Sequence, residues 1–335
     1  MTIKDIAEIA NVSVATVSRV INNKSKGVSD ETRKRILGLI KQYNYQPSAV
    51  ARGLATKKSK IIGLIIADIT NPFYHRLVKG VEDEAHEKGY NLILCDGNNS
   101  EEKEASYLDF LNEHYVSGII YNNFHNISKP ILNKVLNSSV PFVSIDSRLD
   151  VPGCKCVYLD NEKAMYELIQ YLIDMGHKRI GFITGPIDSY STEERYKGYL
   201  KALKDNQIEI DGRLIIEADY VIQEGFNGMN ILLERDTNMS AVACCNDLMA
   251  IGAMESLKEK NIKIPGEMSL VGFDNIDMSR LVTPKLTTIA QPIYEMGREA
   301  AKIIIDTIEG KLESSYTNKV FVPNLIIRDS VKKIK

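Results

Sequence analysis

Apolar positions along this chain follow two different rhythms, and the change falls near residue 60. Over residues 1–46 they recur at helical spacing. Thr2 is placed to N-cap a first helix that carries Ile3, Ile6, Ala7 and Ala10 on one face. Asn11-Val12 is a tight break, and Ser13 N-caps a second helix with Val17, Val20 and Ile21 turned inward. Asn22 to Gly27 reads as a loop. Ser29 caps a third helix, with Ile36, Leu37 and Ile40 expected toward the core. Two helices joined by a turn of about four residues make a helix-turn-helix arrangement.

Tyr45-Gln-Pro-Ser48 interrupts that module. Residues 48–56 then offer a helix of little more than two turns, weakened by Gly53. A helix this short is marginal alone in water and needs a partner to fold against. Residues 47–60 are therefore expected to be a hinge helix and linker.

From residue 61 the pattern becomes apolar runs alternating with amphipathic segments. Strands are expected at 61–67, 91–95, 118–121, 140–145, 179–184, 214–216, 241–245 and 269–273. Helices are expected at 73–88, 101–114, 128–138, 161–175, 192–205, 223–235, 247–260 and 293–310. This alternation predicts an α/β body of two lobes, each a doubly wound parallel sheet, behind an all-α helix-turn-helix domain. The expected division is 1–46, 47–60 and 61–335. Within the last, one lobe takes roughly 61–160 plus a segment near 275–292, and the other takes 161–274 plus 293–330. Ligands in such sheets bind beyond the carboxyl ends of the strands, which places a site in the cleft between the lobes.

Charge sharpens the division. Residues 1–60 hold 12 Lys/Arg against 4 Asp/Glu, a net of +8, while the whole chain is at −2. A basic head on an acidic body fits a polyanion-binding module joined to a domain with other work. A solvated basic face would give the same count. No apolar run approaches the roughly 18 residues of a membrane span, and the start does not read as a signal peptide, so a cytoplasmic protein is expected. Cys95, Cys154, Cys156, Cys244 and Cys245 fit no disulfide framework. Cys154-Lys-Cys156 lacks the two further ligands a zinc site would need. Ser240-Ala-Val-Ala-Cys-Cys245 reads as a buried strand. Neither metal nor cofactor is expected.

Enzyme signatures are missing: there is no G-x-G-x-x-G, no phosphate-loop lysine motif and no G-x-S-x-G. The five histidines are scattered, with His86 and His114 on expected helix surfaces. Polar residues at strand ends are more informative. Asp68 follows the first strand, Asp146 and Arg148 the fourth, and Asn246-Asp247 and Asp274-Asn275 two later ones; Arg195 opens a helix. Such groups suit a polyhydroxylated ligand, whose hydroxyls both donate and accept. Phe73 and Tyr220 can supply apolar faces for a ring. Each Asp or Asn at a strand end equally suits capping the next helix.

At this point the chain resembles the LacI/GalR family of transcriptional regulators along essentially its whole length. Thr2-Ile-Lys-Asp-Ile-Ala-Glu-Ile-Ala-Asn-Val-Ser-Val-Ala-Thr-Val-Ser-Arg-Val-Ile-Asn22 matches the family's N-terminal signature. Tyr45-Gln-Pro-Ser-Ala-Val-Ala-Arg-Gly-Leu54, Asn71-Pro-Phe-Tyr, Gly176-His-Lys-Arg-Ile-Gly-Phe, Asn246-Asp-Leu-Met-Ala-Ile-Gly and Val271-Gly-Phe-Asp-Asn follow it. The motifs after residue 60 are shared with periplasmic sugar-binding proteins.

The resemblance implies that the helix after Ser13 enters the major groove, with Val14, Ala15 and Arg19 reading bases. The chemistry agrees: Arg19 can fork onto guanine, and small apolar groups suit thymine methyls. Thr2, Ser13, Thr16, Ser18 and Asn22 are implied on the DNA side as positioning groups. So are Ala51 and Ala55 of the hinge, while Leu54 matches the family's minor-groove wedge and is otherwise a core residue of the hinge helix. Arg52 and Lys57-Lys58 would add phosphate contacts.

In the body, Phe73, Tyr74, Arg195, Tyr220, Asp247 and Asp274 fall at effector-contacting positions, joined by Asp68, Arg148 and Asn246. Ser189 stands where a purine-responsive member carries a base-contacting arginine, so a pentose, hexose or sugar acid is expected instead. A phosphocarrier protein as corepressor is a mode that some members use. The resemblance implies a homodimer on a pseudo-palindromic operator, usually as a repressor and not an enzyme. Val331-Lys-Lys-Ile-Lys335 shows no leucine-heptad extension, so no tetramer is expected.

Overall fold

The computed structural model describes residues 1–335 except 23–26, 46–58, 115, 123–126, 150, 152, 236–237, 314 and 335. The expected hinge helix, with Ala51, Arg52, Leu54, Ala55, Lys57 and Lys58, lies outside the described residues. The chain divides into two compact units, Met1–Ser59 and Lys60–Lys335.

The first unit holds α1 (Ile3–Ile9), α2 (Val14–Ile21) and α3 (Asp30–Gln42). Each begins where a side chain satisfies an orphan backbone N–H. Thr2 and Asp5 form a reciprocal capping box, Ser13 accepts from Thr16 N at 3.1 Å, and Ser29 accepts from Thr32 N at 3.3 Å. The core is Ile6, Ala7, Ala10, Val17, Val20 and Ile36. Leu37, expected in that core, is 45% exposed. Ile36 already occupies the inward position of α3, and the next residue turns about 100° away.

The second unit carries two six-stranded sheets. In chain order it runs β1 (Ile61–Ile66), α4 (Pro72–Glu87), β2 (Asn91–Asp96), α5 (Glu101–Glu113), β3 (Gly118–Tyr121), α6 (Lys129–Asn137), β4 (Phe142–Ile145) and β5 (Lys155–Leu159). Then come α7 (Asn161–Asp174), β6 (Ile180–Thr184), α8 (Tyr190–Asp205), β7 (Ile215–Glu217), α9 (Ile222–Glu234), β8 (Ala241–Cys244), α10 (Asp247–Glu259) and β9 (Ser269–Asp274). The chain closes with β10 (Thr287–Ala290), α11 (Ile293–Glu309), β11 (Lys319–Phe321) and β12 (Asn324–Ile326). The sheet orders are β11-β5-β4-β3-β1-β2 and β12-β10-β9-β8-β6-β7. Every pairing is parallel but that of β10 with β12. No helix among the described residues is long and apolar enough to cross a membrane.

The late segments belong to the opposite lobes from those expected. β10 pairs with β9, so 275–292 stays in the second lobe. α11 packs on α4, β3, β4 and β5 of the first lobe. Its Ile293, Met296, Ala300, Ile303 and Ile304 share one core with Leu77 and Val81 of α4. Two glycines permit that contact, because a Cβ at Gly80 would overlap Tyr294 O and one at Gly297 would overlap Leu77 O. The remaining tail is split: β11 joins the first sheet and β12 the second.

The chain thus crosses between lobes three times, at Asp160, at Gln291-Pro292 and at Val322-Pro323. The first and third crossings are tied by Asp160 N donating to Phe321 O at 3.1 Å. A salt bridge at 2.7 Å links Arg76 of the first lobe to Asp277 of the second. Short β5, β10, β11 and β12 were not legible as strands. Cys156, from the Cys-x-Cys run, is instead a buried residue of β5.

Candidate functional site

Two places gather the candidate residues, one in each unit. In the first unit, α2 buries Val17 and Val20 and exposes the opposite side. Val14, Ala15 and Arg19 all lie exposed there, with Val14 40% exposed despite being apolar. An apolar side chain held outward beside an arginine is suited to a groove of mixed methyl and acceptor edges. Thr2 and Ser13 are occupied as caps. Thr16 Oγ1 lies 2.9 Å from Ser13 Oγ, and Asn22 donates from Nδ2 to Ser18 O at 2.9 Å. Ser13 with Thr16 at its start and Asn22 with Ser18 at its end hold α2 around the exposed trio.

In the second unit the strands of both sheets end on one cavity of about 110 Å³ between the lobes. The first lobe contributes Asp68, Asn71, Phe73, Tyr74, Asn122 and Asp146; the second contributes Ser189, Arg195, Asp219, Tyr220, Asn246 and Asp274; Gln291 comes from the middle crossover. Seven expected residues are therefore brought together: Asp68, Phe73, Tyr74, Arg195, Tyr220, Asn246 and Asp274. Two are not on the wall. Arg148 is exposed. Asp247 is buried behind it, accepting from Thr288 Oγ1 at 2.6 Å and Ile276 N at 2.9 Å, and burial pushes its carboxyl well up. It braces the loop after β9 and makes no part of the lining.

The aromatic side is rigid. Phe73 and Tyr74, in the first turn of α4, pack edge to face with centroids 5.1 Å apart. Tyr74 donates from its hydroxyl to Asn122 Oδ1 at 2.8 Å, and Asn122 donates to Ile145 O at 3.1 Å. Opposite them, Tyr220 is hydrogen-bonded to Thr192, and Gly185 leaves room for its ring.

Hydrogen bonds sort the strand-end polar residues into those engaged by neighbouring backbone or side chains and those that are not. Asn246 caps α10, accepting from Met249 N at 2.8 Å. Asp68 is taken up by Thr70, whose N and Oγ1 donate at 2.8 and 2.7 Å. Asn71 caps α4. Asp146 and Asp274 do neither. Both stand at positive φ, 57° and 106°, a backbone cost that persists where the surroundings impose it and that gathers at ligand sites. Asp274 Oδ1 accepts from Gln291 Nε2 at 2.7 Å and lies 3.9 Å from Arg195 Nη2. Asp146 Oδ1 and Gln291 Oε1 are buried and make no hydrogen bond.

Arg195 is held on four sides. It donates from Nε to Asn161 Oδ1 at 2.9 Å and from Nη1 to Cys245 O at 2.6 Å, and its guanidinium lies 3.8 Å above the Phe273 ring. Burial pushes the Asp146 carboxyl up to about 7 and that of Asp274 up to about 6, in both cases against the opposing pull of Arg195. The site therefore pairs one fixed cation with two carboxyls poised near neutrality.

Asn122 and Gln291 are absent from the sequence expectations. Nothing in Tyr121-Asn-Asn or Ala290-Gln-Pro marks a site residue. Asp146 shares the strand-end signal of Asp274, although it has no place among the contacts that the resemblance implies.

Residues 2–48 match the model for bacterial regulatory proteins of the lacI family. Residues 59–327 match that for periplasmic binding proteins and the sugar binding domain of the LacI family. The repressor PurR of Haemophilus influenzae (strain PittEE) is 36% identical, with 99% of each chain covered. Among solved structures, the lac repressor dimer bound to operator and the anti-inducer ONPF aligns at TM-score 0.87 and 27% identity over 99% of both chains. The regulator CelR in complex with cellobiose aligns at TM-score 0.76 and 30% identity over 98% of this chain and 99% of that one. With a regulatory-protein head, a ligand-binding body and full-length repressor relatives, the chain belongs to the LacI family of DNA-binding transcriptional regulators, which act under the control of a small molecule.

Proposed function

We propose that this protein represses transcription in the cytoplasm as a homodimer on a pseudo-palindromic operator, and that a sugar or sugar derivative bound between its lobes sets its affinity for that operator. Two-fold symmetry of a dimer is matched by a palindromic site. Val14, Ala15 and Arg19 of α2 read the bases; Thr2, Ser13, Thr16, Ser18 and Asn22 position the helix. Ala51, Leu54 and Ala55 complete the DNA surface from the hinge, with Leu54 as a minor-groove wedge.

The observation that carries the sugar reading is the convergence of Asp146, Asp274, Arg195 and Asn122 with two aromatic flanks on one cavity between the lobes. Hydroxyls need donors and acceptors together, and an aromatic ring packs on the C–H face of a sugar. A relative of the same architecture carries cellobiose in its solved complex. The effector acts through its different affinity for two arrangements of the lobes, and only to that extent.

A thermal-shift screen of pentoses, hexoses and their derivatives tests this, since a ligand selective for the folded state raises its midpoint. The ligand found is then titrated into a labelled operator complex. A change in operator affinity that disappears in Asp274→Ala supports the reading. A ligand that binds without altering operator affinity overturns the effector role.

A further inference from the structure

The cavity holds a charge imbalance that narrows its ligand further. Arg195 is the only cationic side chain among the described lining residues. Its charge is shared with Asp274 at 3.9 Å, and its Nε and one Nη1 donor are held by Asn161 and Cys245. Asp146, entering from the first lobe, has no counter-ion of its own. Its Oδ1 is buried without a partner, and so is Oε1 of Gln291 in the middle crossover. Both atoms are acceptors, one a carboxylate oxygen and the other an amide carbonyl oxygen. A buried acceptor left unmade costs more than a made hydrogen bond returns, so these two atoms define what a ligand gains by supplying donors.

We infer that the cleft selects by charge: it takes a polyol that is neutral or amine-bearing, with donors on Asp146 Oδ1 and Gln291 Oε1, and rejects the corresponding sugar acids and phosphosugars. This rests on the sugar reading of the cleft given above. An anionic group brought into the cavity meets the carboxyls of Asp146 and Asp274 with Arg195 as the single cation among the described lining residues, and that excess of negative charge weakens its binding relative to a neutral polyol. A hydroxyl meets the same oxygen as a donor, and an ammonium meets it as donor and counter-ion at once. One ligand on both orphan oxygens also bridges the first lobe to the crossover that holds Asp274, so the selecting contacts are the ones that join the lobes.

The test is calorimetry and thermal shift on the full chain with matched sets: glucose, glucosamine, glucuronate and glucose 6-phosphate, then the galactose set, then ribose and ribose 5-phosphate. In a set that binds, the neutral or amine-bearing member is expected to bind roughly ten-fold or more tightly than its anionic counterparts. Asp146→Asn keeps the shape and removes the charge, and is expected to narrow that gap. Asp146→Gly also removes the charge, at a positive φ that glycine adopts freely, and is expected to narrow the gap too, which keeps the test open if the first variant folds poorly. An acid or phosphosugar that binds as tightly as its neutral parent overturns the charge rule and leaves the sugar reading standing. A gap that neither variant moves also overturns it. Failure of every set to bind, neutral and charged alike, overturns the sugar reading and the rule with it.

Discussion

Gln291 donates from Nε2 to Oδ1 of Asp274 at 2.7 Å, joining the middle crossover between the lobes to the end of β9. The bond is buried, and its acceptor is a carboxyl in a strained backbone position. Through it, the middle crossover between the lobes is fastened to a wall of the cavity.

Replacing Gln291 by Ala removes that donor and leaves Asp274 with Arg195 alone. Loss of one partner from a buried hydrogen bond costs about 1–3 kcal/mol. Urea denaturation is expected to show a lower midpoint with an unchanged slope. The operator response to ligand should also weaken, whereas a variant with both properties intact would remove Gln291 from the coupling.

Asp146 makes the stability of the second unit depend on pH in a definite direction. Its carboxyl sits at about 7 in the fold against an ordinary value of 3.8. Between those values the folded protein holds a proton that the unfolded chain has released, so the contribution of Asp146 is full below pH 3.8 and is lost as pH rises through about 7. Asp274, at about 6, acts in the same sense. The stability of the natural protein relative to Asp146→Asn is therefore expected to fall from pH 4 to pH 8. Denaturation curves of the two proteins at several pH values check this, and a constant difference would contradict it.

Arg19→Ala is expected to cost roughly 1–3 kcal/mol in operator affinity and to relax preference at one symmetric base position. Fluorescence anisotropy on a panel of single-base operator variants measures both. An arginine that only touches phosphate would lower affinity uniformly across the panel.

Ile36 and Leu37 are neighbours with opposite fates in α3, one fully buried and the other 45% exposed. Ile36→Ala is expected to destabilise the helix-turn-helix unit by about 2–5 kcal/mol. Leu37→Ala is expected to stay within about 0.5 kcal/mol. Thermal melts of the DNA-binding unit's circular-dichroism signal distinguish them, and equal losses would place Leu37 in a contact outside the unit's own core.

The sequence by itself determined what is local. Capping residues Thr2, Ser13 and Ser29 set where three helices begin, because a side-chain oxygen one residue before a helix has a fixed partner within three residues. Helical and apolar-run periodicity located α4 to α10 and most central strands, since burial on both faces of a parallel sheet leaves an unbroken apolar run. The whole-length motif pattern determined the family, and with it the exposed trio on α2.

Tertiary structure decided what depends on partners distant in the chain. α11 follows β10 in sequence but packs on the first lobe, because its apolar face fits Leu77 and Val81 more than two hundred residues earlier. Asp68 and Asn246 look like Asp146 and Asp274 in sequence, each a polar residue closing a strand. All four line the cavity, and only the folded chain shows that the first two are engaged by Thr70 and by the α10 backbone, while Asp146 Oδ1 has no partner and Asp274 meets Gln291 from the crossover. Whether a polar group is free for a ligand is a matter of which donors the fold brings to it, and those donors are not written beside it in the chain.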